Sequence, residues 1–343
     1  MKLYFSTFIA GTQEIIKSVF DKRDSKFKIK LLLDGLVVYK TNFPEREIRN
    51  FRFFNNTFLL LKFFESLEPN QKFLEKMVME VHKDHDTYKE LKKNLPVNRK
   101  LFKIVTSLEN QTVSINRDAL KKLESKIQHN TDLRLNIKNS NLELWFLLRR
   151  EGKGFFGIRI TYPYGAEKQR AKGELRRELA HIMCILSQPS PKDVILDPFA
   201  GYGAIPLERG VSFPFKKIIA AEYDKKLIDE LKLKTKRKNF DIIHGDALAL
   251  NQIKDNSIDK IITDPPWGMF KEVNSDLIDF YYNMLREFSR ILKRNGIVII
   301  LIGQPKIFEQ SLEKTLVRWK TVVQYPILVS GKKATIYKLT RNR

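Results

Sequence analysis

The sequence is poor in cysteine and contains no long apolar run, and each absence excludes a class of protein. Cys184 is the single cysteine in 343 residues, which excludes an internal disulfide and a multi-cysteine zinc site. The longest apolar runs, such as residues 297–302, have the length of a strand and not of a membrane span. Polar residues interrupt residues 1–16, so we expect a strand and a helix there instead of a signal peptide. From these features we expect a cytoplasmic protein with no metal and no membrane partner.

Acidic residues are scarce relative to basic ones. The chain has 63 Lys and Arg against 40 Asp and Glu, which gives a formal charge of +23 and a pI near 9.8. A surplus of this size favours a polyanionic partner, with nucleic acid ahead of an anionic membrane surface. An AT-rich genome that over-uses lysine is the alternative, and the abundance of Asn, Ile and Phe agrees with it. Charge alone leaves both explanations open.

The chain divides near residues 161–175, a polar segment with turn-forming residues. Before this segment, helices and strands follow one another in an order typical of α+β modules. After it, strands and helices alternate, which predicts a doubly wound, mostly parallel α/β sheet. Two final extended runs joined at Ser330-Gly331 predict an antiparallel hairpin at the sheet edge. We expect an N-terminal α+β domain, a second small α+β module and an α/β domain, over residues 1–95, 96–162 and 170–343.

Local signals place several elements of the first half. Asp34-Gly35 between two apolar runs predicts a hairpin turn. Residues 65–91 are typical of one helical stretch, and Asn116 is a suitable cap for an amphipathic helix that follows it. Three short strands are predicted between residues 133 and 161.

Functional signals lie where the predicted parallel strands end, because doubly wound folds bind ligands at that edge. The first strand is followed by Asp197, Phe199, Gly201 and Gly203. The glycines permit a ligand to approach the backbone closely. Only two of the three glycines of the dinucleotide fingerprint are present, and a packing turn explains them equally well.

The next two strand ends are acidic. Glu222 stands where a carboxylate typically accepts hydrogen bonds from the ribose hydroxyls of an adenosine, whereas Asp224 is better explained as the cap of the next helix. Asp246 is placed to accept the exocyclic amine of adenine, with the Ala247 amide facing a ring nitrogen. His244 is interpreted as strand filler. These acidic ends behind one glycine turn predict a nucleotide-like ligand.

The fourth strand runs into Asp264-Pro265-Pro266-Trp267, whose prolines cannot continue a sheet ladder. The exocyclic amine of a nucleobase is a poor nucleophile because its lone pair is delocalised into the ring. The Asp264 carboxylate and the Pro265 carbonyl can each accept one N–H of such an amine and stabilise the positive charge that develops on nitrogen. The Trp267 ring offers a face on which a flipped base stacks. The alternative is a stiff loop with an aromatic packing residue.

The order DPFAGYG, AEYD, HGDA and TDPPWG resembles the S-adenosylmethionine-dependent amino-methyltransferases. Their catalytic signature is Asp, Asn or Ser, then two prolines and an aromatic residue. The resemblance covers the chain from about Glu174 to its end and implies a Rossmann-like class I methyltransferase sheet. It also implies S-adenosylmethionine as the cofactor.

By this resemblance, Asp197, Phe199, Gly201 and Gly203 border the methionine part of the cofactor, Glu222 its ribose, and Asp246 and Ala247 its adenine. The segment before the first strand lies over the cofactor in related enzymes, which implies Glu174 and Leu175 as further neighbours. Residues 264–267 would hold the target amine, with Asp264, Pro265, Pro266 and Trp267 as the catalytic set.

The first half resembles the THUMP module with its preceding ferredoxin-like domain. Four stretches carry this resemblance, residues 6–20, 32–40, 113–150 and 154–161. Together the two halves resemble THUMP-containing tRNA guanosine N2-methyltransferases, in which THUMP is thought to grasp the acceptor end of tRNA. The resemblance implies tRNA as the partner. We expect the protein to be a monomer. Arg149, Arg150 and Lys153, between two predicted strands, are the expected RNA contacts.

Trp267 departs from that pattern. The guanosine enzymes usually carry Tyr or Phe after the prolines, whereas DPPW is common among N6-adenine methyltransferases. The Trp-bearing adenine family of messenger RNA places DPPW before its glycine turn, and this chain has the opposite order. N2 of a guanosine in tRNA is therefore the preferred target. Methylation of adenine N6 in RNA or DNA and a catalytically silent RNA-binding protein are the alternatives.

Overall fold

The chain forms two compact units in the computed structural model. The first comprises Met1–Thr7, Phe20–Phe51 and Asn56–Tyr164, and the second comprises Phe8–Val19, Arg52–Asn55 and Gly165–Arg343. The second unit therefore includes two short segments from the N-terminal part of the chain. The division of the first half at residue 95 stays a prediction. The structure describes residues 1–23, 26–96, 98, 100–109, 111–161, 173–235, 237–268, 277–315, 319–329 and 331–341.

The first unit is built on one sheet to which nine strands of the described residues belong. They are β1 (Lys2–Thr7), β2 (Phe27–Leu33), β3 (Leu36–Thr41), β4 (Asn56–Phe64), β5 (Leu101–Leu108), β6 (Gln111–Thr112), β7 (Arg134–Leu135), β8 (Leu142–Leu148) and β9 (Gly154–Arg159). Their order is β2-β3-β1-β4-β9-β8-β5-β6, and β7 pairs with β5. Most neighbours are antiparallel, and β5 is parallel to β8 and β7.

The helices of the N-terminal half are α1 (Gln13–Asp21), α2 (Glu45–Ile48), α3 (Gln71–Lys83), α4 (His85–Lys93) and α5 (Arg117–Asn130). Asn116 caps α5 by accepting a hydrogen bond from the Asp118 amide, as predicted. The prediction of one helix over residues 65–91 is wrong. Asp84 adopts an extended conformation and caps α4 through the Asp86 and Thr87 amides, which separates two helices.

The second unit is an α/β sheet with seven strands among the described residues. They are β10 (Val194–Asp197), β11 (Lys217–Glu222), β12 (Phe240–His244), β13 (Ile258–Thr263), β14 (Leu292–Ile302), β15 (Trp319–Val329) and β16 (Lys332–Arg341). The helices of this half are α6 (Arg177–Leu186), α7 (Ala204–Ser212), α8 (Lys225–Lys234), α9 (Leu277–Ile291) and α10 (Pro305–Lys314).

The strand order β12-β11-β10-β13-β14-β16-β15 confirms the predicted doubly wound sheet. The first five strands run parallel, and β16 and β15 form the predicted antiparallel hairpin. Apolar strand residues and the inner face of α9 fill the core, with Leu196, Ile261, Phe288 and Val298 inaccessible to solvent. Burial on both faces explains why these strands are continuous apolar runs.

The N-terminal segment of the second unit lies against β15. Gly11 has φ +88, and a Cβ built on it would lie 2.0 Å from the Pro326 carbonyl oxygen. A glycine is required there both for the left-handed backbone and for the close approach. No helix of the described residues is long and apolar enough to cross a membrane.

Candidate active site

The carboxyl ends of β12, β11, β10 and β13 meet at one edge of the second sheet. Parallel pairing sets Asp197 beside Ala220 and Glu222 beside His244, so the acidic strand ends lie on adjacent strands. Asp264 follows β13 directly. The predicted cofactor and catalytic residues of the strand ends are therefore brought together by the sheet, as the alternating pattern required.

Hydrogen bonds fix the turn after β10, and there is open space beside Gly201 in this turn. Asp197 is 1% exposed, and its Oδ1 accepts hydrogen bonds from Thr263 Oγ1 at 2.7 Å and from the Phe199 amide at 3.2 Å. Gly201 and Gly203 have φ of +50 and +87. A Cβ at Gly203 would lie 2.3 Å from Leu231, whereas one at Gly201 would meet no described atom within 4 Å. Gly203 thus serves packing, and Gly201 faces room for a ligand.

Glu222, at the end of β11, is hydrogen-bonded to the glycine turn that follows β10. Its Oε2 accepts a hydrogen bond from the Gly201 amide at 2.8 Å, and its Oε1 accepts from the Tyr223 and Asp224 amides at 2.9 and 3.0 Å. A carboxylate has about four lone-pair positions, so acceptor capacity remains for hydroxyl groups. Asp224 caps α8 through the Lys226 amide, as predicted.

The adenine-side residues follow β12. Asp246 is exposed and accepts a hydrogen bond from the Leu248 amide at 2.9 Å, and Ala247 is 5% exposed. His244 is exposed, and its Nε2 lies 2.8 Å from the Tyr223 carbonyl oxygen. This ring bridges two strand ends and is not strand filler. Glu174 and Leu175 are half-buried just before α6, and their contact with the cofactor stays a prediction.

Asp264 Oδ2 and the Pro265 carbonyl oxygen lie at the end of β13. Neither accepts a hydrogen bond from a donor among the described residues. The neighbouring acceptors are occupied. Trp267 Nε1 donates to Asp264 Oδ1 at 2.9 Å, and the Tyr281 hydroxyl donates to the Pro266 carbonyl at 3.3 Å. Gln304 Nε2 donates to the Trp267 carbonyl at 3.0 Å. The loop thus leaves a carboxylate oxygen and a carbonyl oxygen without a donor among the described residues.

Burial shifts the titration of both acids at this edge. Burial and, to a smaller extent, the charges of Asp264 and Glu222 raise the pKa of Asp197 to about 8, and the hydrogen bonds from Thr263 and Phe199 oppose this shift. Burial also raises the pKa of Asp264 to about 7, and the hydrogen bond from Trp267 opposes this shift. Strongly shifted carboxyl groups at one sheet edge are typical of a functional site.

We expect Asp197→Asn to stabilise the second unit increasingly as the pH rises. The carboxyl of Asp197 has a pKa of about 8 in the folded protein against an ordinary value of 3.8. Its ionisation therefore opposes folding increasingly from pH 3.8 to pH 8, and by a constant amount above pH 8. Asparagine keeps the oxygen that accepts from Thr263. Thermal unfolding at pH 5 and pH 8.5 should show the larger gain at pH 8.5. Asp229→Asn, at an exposed helix position, is the control, and a gain independent of pH would contradict the expectation.

A buried ion cluster joins α6 and α7 to the N-terminal segment of the same unit. Glu208 is 3% exposed, and its Oε1 accepts from Arg52 Nε at 2.7 Å and from Ser212 Oγ at 2.6 Å. His181 Nδ1 lies 2.7 Å from the same oxygen. Burial raises the pKa of Glu208, but the hydrogen bonds from Arg52, His181 and Ser212 outweigh it and lower the pKa to about 2. Sequence analysis missed this cluster.

The expected RNA contacts of the first unit differ in exposure. Arg149 is 4% exposed and donates to the Asp34 carbonyl oxygen at 2.5 Å, so the expectation that it contacts RNA is corrected. Its buried guanidinium donates a hydrogen bond within the protein, which gives it an intramolecular role. The Arg150 side chain is 62% exposed. Lys153 Nζ lies 2.9 Å from Glu65 Oε1. Arg150 and Lys153 stay predictions.

Part of the second unit matches a known family. Residues 165–332 match the model of the family described as RMKL-like, methyltransferase domain. A similar curated protein is the tRNA (guanine(6)-N(2))-methyltransferase THUMP3 of Mus musculus, 29% identical over 183 residues. The match covers 49% of this chain and 36% of that protein, so the chain spans little more than a third of that relative.

Solved structures share the fold over the whole chain. TrmN from Thermus thermophilus aligns with a TM-score of 0.78 and 17% identity, covering 100% of both chains. SMU.472, which was crystallised with SAH, aligns with a TM-score of 0.71 and 15% identity, covering 100% of this chain and 98% of that chain. At these identities the likeness establishes the fold.

Proposed function

Given that residues 165–332 match the model of an RMKL-like methyltransferase domain, we propose that the protein transfers a methyl group from S-adenosylmethionine to the exocyclic N2 amine of a guanosine in tRNA. The observation that carries this proposal is the pair of acceptors without a described donor, Asp264 Oδ2 and the Pro265 carbonyl. An exocyclic amine has two N–H groups, and this pair accepts both. The name of the mouse relative supports guanine N2 in tRNA as the target. The single buried cysteine agrees with the reducing cytoplasm as its compartment.

The residues at the strand ends fit this cofactor. The open space beside Gly201 would receive the methionine part of the cofactor, with Asp197 and Phe199 as its neighbours in the same turn. Glu222 retains acceptor capacity for the ribose hydroxyls, and we assign Asp246 and Ala247 to the adenine end. When bound, S-adenosylmethionine supplies an electrophilic methyl group.

The chain's own residues orient the amine and handle its proton. Asp264 accepts one N–H and the Pro265 carbonyl accepts the other, which directs the nitrogen lone pair away from both acceptors. The same oxygens stabilise the positive charge that develops on nitrogen. Once the new C–N bond has formed, the nitrogen must release a proton. A pKa of about 7 suits Asp264 as the group that takes it.

The first unit offers a cationic face that sequence analysis did not identify. An open surface depression of about 480 Å³ lies between α3 and α5 and is lined by His82, Lys121, Lys122, Ser125, Lys126 and His129. Among the described residues, no carboxylate lies within ion-pair distance of the three lysines. We include this α5 face in the proposed tRNA contact, since unpaired lysines on one helix face suit a phosphate backbone.

We expect Lys121→Met, Lys122→Met and Lys126→Met, combined in one variant, to weaken tRNA binding and its dependence on salt. Loss of up to three phosphate contacts should reduce the slope of log K against log salt by about 2 to 3. The matched control combines Lys89→Met, Lys92→Met and Lys93→Met on α4, which removes the same charge. Filter binding over a salt series measures both, and equal losses in the two variants would exclude a local contact.

The proposed function is tested by incubating the protein with S-adenosylmethionine and unmodified tRNA, and analysing the nucleosides by mass spectrometry. We expect N2-methylguanosine, and guanine 6 is the first position to map because the mouse relative is named for it. N6-methyladenosine would support the adenine alternative. Absence of any methylated nucleoside, with no calorimetric heat from S-adenosylhomocysteine, would support an RNA-binding protein without catalysis.

A further inference from the structure

Trp267 has a second use besides the stacking face that its sequence context predicts. Its indole N–H donates to Asp264 Oδ1 at 2.9 Å, and its own carbonyl accepts from Gln304 Nε2 at 3.0 Å. The side chain is half-buried, so this arrangement is sheltered from water on part of its surface. The indole edge is therefore fixed to the acid that is proposed to hold the substrate.

The junction of β14 and α10 forms a seat for the ring of Trp267. A Cβ built on Gly303 would lie 2.3 Å from both Cδ2 and Cε3 of Trp267. Such a separation is far below van der Waals contact, so no side chain fits at Gly303 while the ring stays in place. Gln304, which holds the Trp267 carbonyl, precedes the first residue of α10. Two independent contacts thus determine where the indole N–H points.

We propose that Trp267 is a positioning residue whose indole N–H holds Asp264 Oδ1, so that Oδ2 is the oxygen presented to the substrate amine. This inference rests on the proposed function. Phenylalanine has no donor, and the tyrosine hydroxyl extends from the ring tip and not from the indole edge. Of phenylalanine, tyrosine and tryptophan, only tryptophan therefore places an N–H donor at this position of the ring.

The same contact favours the charged form of Asp264, because a donor stabilises a carboxylate more than a carboxylic acid. The ionisable groups that act on Asp264 or face it are Asp197 at the end of β10 and Tyr281 on α9. Asp197 repels a second negative charge, and Tyr281 donates its hydroxyl to Pro266 instead of to the acid. Trp267 is thus the side-chain donor to Asp264 among the described residues.

The test is Trp267→Phe, which keeps an aromatic face and removes the N–H. We expect kcat at pH 7 to fall about 10-fold, as for loss of a hydrogen bond to a charged group, and the acid limb of the kcat profile to move to higher pH. KM for tRNA should stay unchanged, since the stacking face remains. The control is Trp145→Phe, because Trp145 donates to Glu143 at 2.8 Å in the first unit.

A purely structural role would lower kcat by the same factor at every pH, and that result would overturn the inference. An unchanged kcat and an unchanged limb would do so as well. Should the wild-type protein methylate no nucleoside, the proposed function fails, and the contact is then judged by spectroscopy alone.

Indole ¹⁵N–¹H resonances report the contact without any turnover. The chain has three tryptophans, and the resonance lost in Trp267→Phe identifies its own. We expect that resonance to shift with pH as Asp264 titrates, and the shift to disappear in Asp264→Asn. Gly303→Ala should displace the ring, move the same resonance and reproduce the kinetic loss. A Trp267 resonance that is insensitive to pH would contradict the inference, whatever the kinetics show.

Discussion

Asp264→Asn is expected to reduce methyl transfer by about 10³-fold while S-adenosylhomocysteine affinity stays within a few-fold. The amide keeps an oxygen for the Trp267 N–H, so the loop is not disturbed. It replaces Oδ2 with an NH₂ group, which donates where the substrate amine also donates. Single-turnover rates and calorimetric titration separate the loss of chemistry from the loss of binding.

The matched control is Asp279→Asn, an exposed acid on α9. It removes the same charge from the second unit and should leave the rate unchanged. Normal turnover by Asp264→Asn would exclude the proposed role of the carboxylate. A parallel loss of cofactor affinity would instead indicate that Asp264 belongs to the cofactor site.

The second large effect is on stability. Arg52→Met is expected to lower the free energy of unfolding of the second unit by about 3 kcal/mol, because it leaves Glu208 buried without its guanidinium partner. The side chain of Glu208 is 2% exposed and that of Arg52 is 32% exposed, so the cost arises mainly at the acid. Chemical denaturation at pH 7 measures the loss.

Arg46→Met, at an exposed position of α2, is the control. Glu208→Gln combined with Arg52→Met should recover part of the loss, since the amide carries no charge. The folded pKa of Glu208 is about 2 against an ordinary 4.5, so the wild-type stabilisation is present above pH 4.5 and is lost as the pH falls towards 2. The difference between wild type and Arg52→Met should therefore shrink in acid, and a constant difference would contradict the assigned cause.

The second half of the chain was the more predictable from sequence. Each strand there is a short apolar run followed by a polar or glycine-containing turn, and parallel pairing then places Asp197, Glu222, Asp246 and Asp264 at one edge. The α10 helix was missed, although Pro305 stands at its first turn. In the first half, β4 was missed because the apolar run of residues 56–64 alone does not distinguish a strand from a helix.

The remaining features depend on partners that are distant in sequence. Glu208 meets Arg52 across 156 positions, and Arg149 meets Asp34 across 115. No local pattern contains either pair. The bond between Trp267 and Asp264 is local, yet its direction depends on the seat at Gly303. Sequence therefore predicted which candidate residues meet at one sheet edge more reliably than it predicted what holds them in place.

The two N-terminal segments of the second unit have a consequence for synthesis on the ribosome. Phe8–Val19 and Arg52–Asn55 emerge long before Gly165–Arg343, with which they form one compact unit. We therefore expect these two segments to reach their final packing only after the second half of the chain has been translated. For the same reason, expression of residues 165–343 alone would remove Gly11 and Arg52 from the second unit.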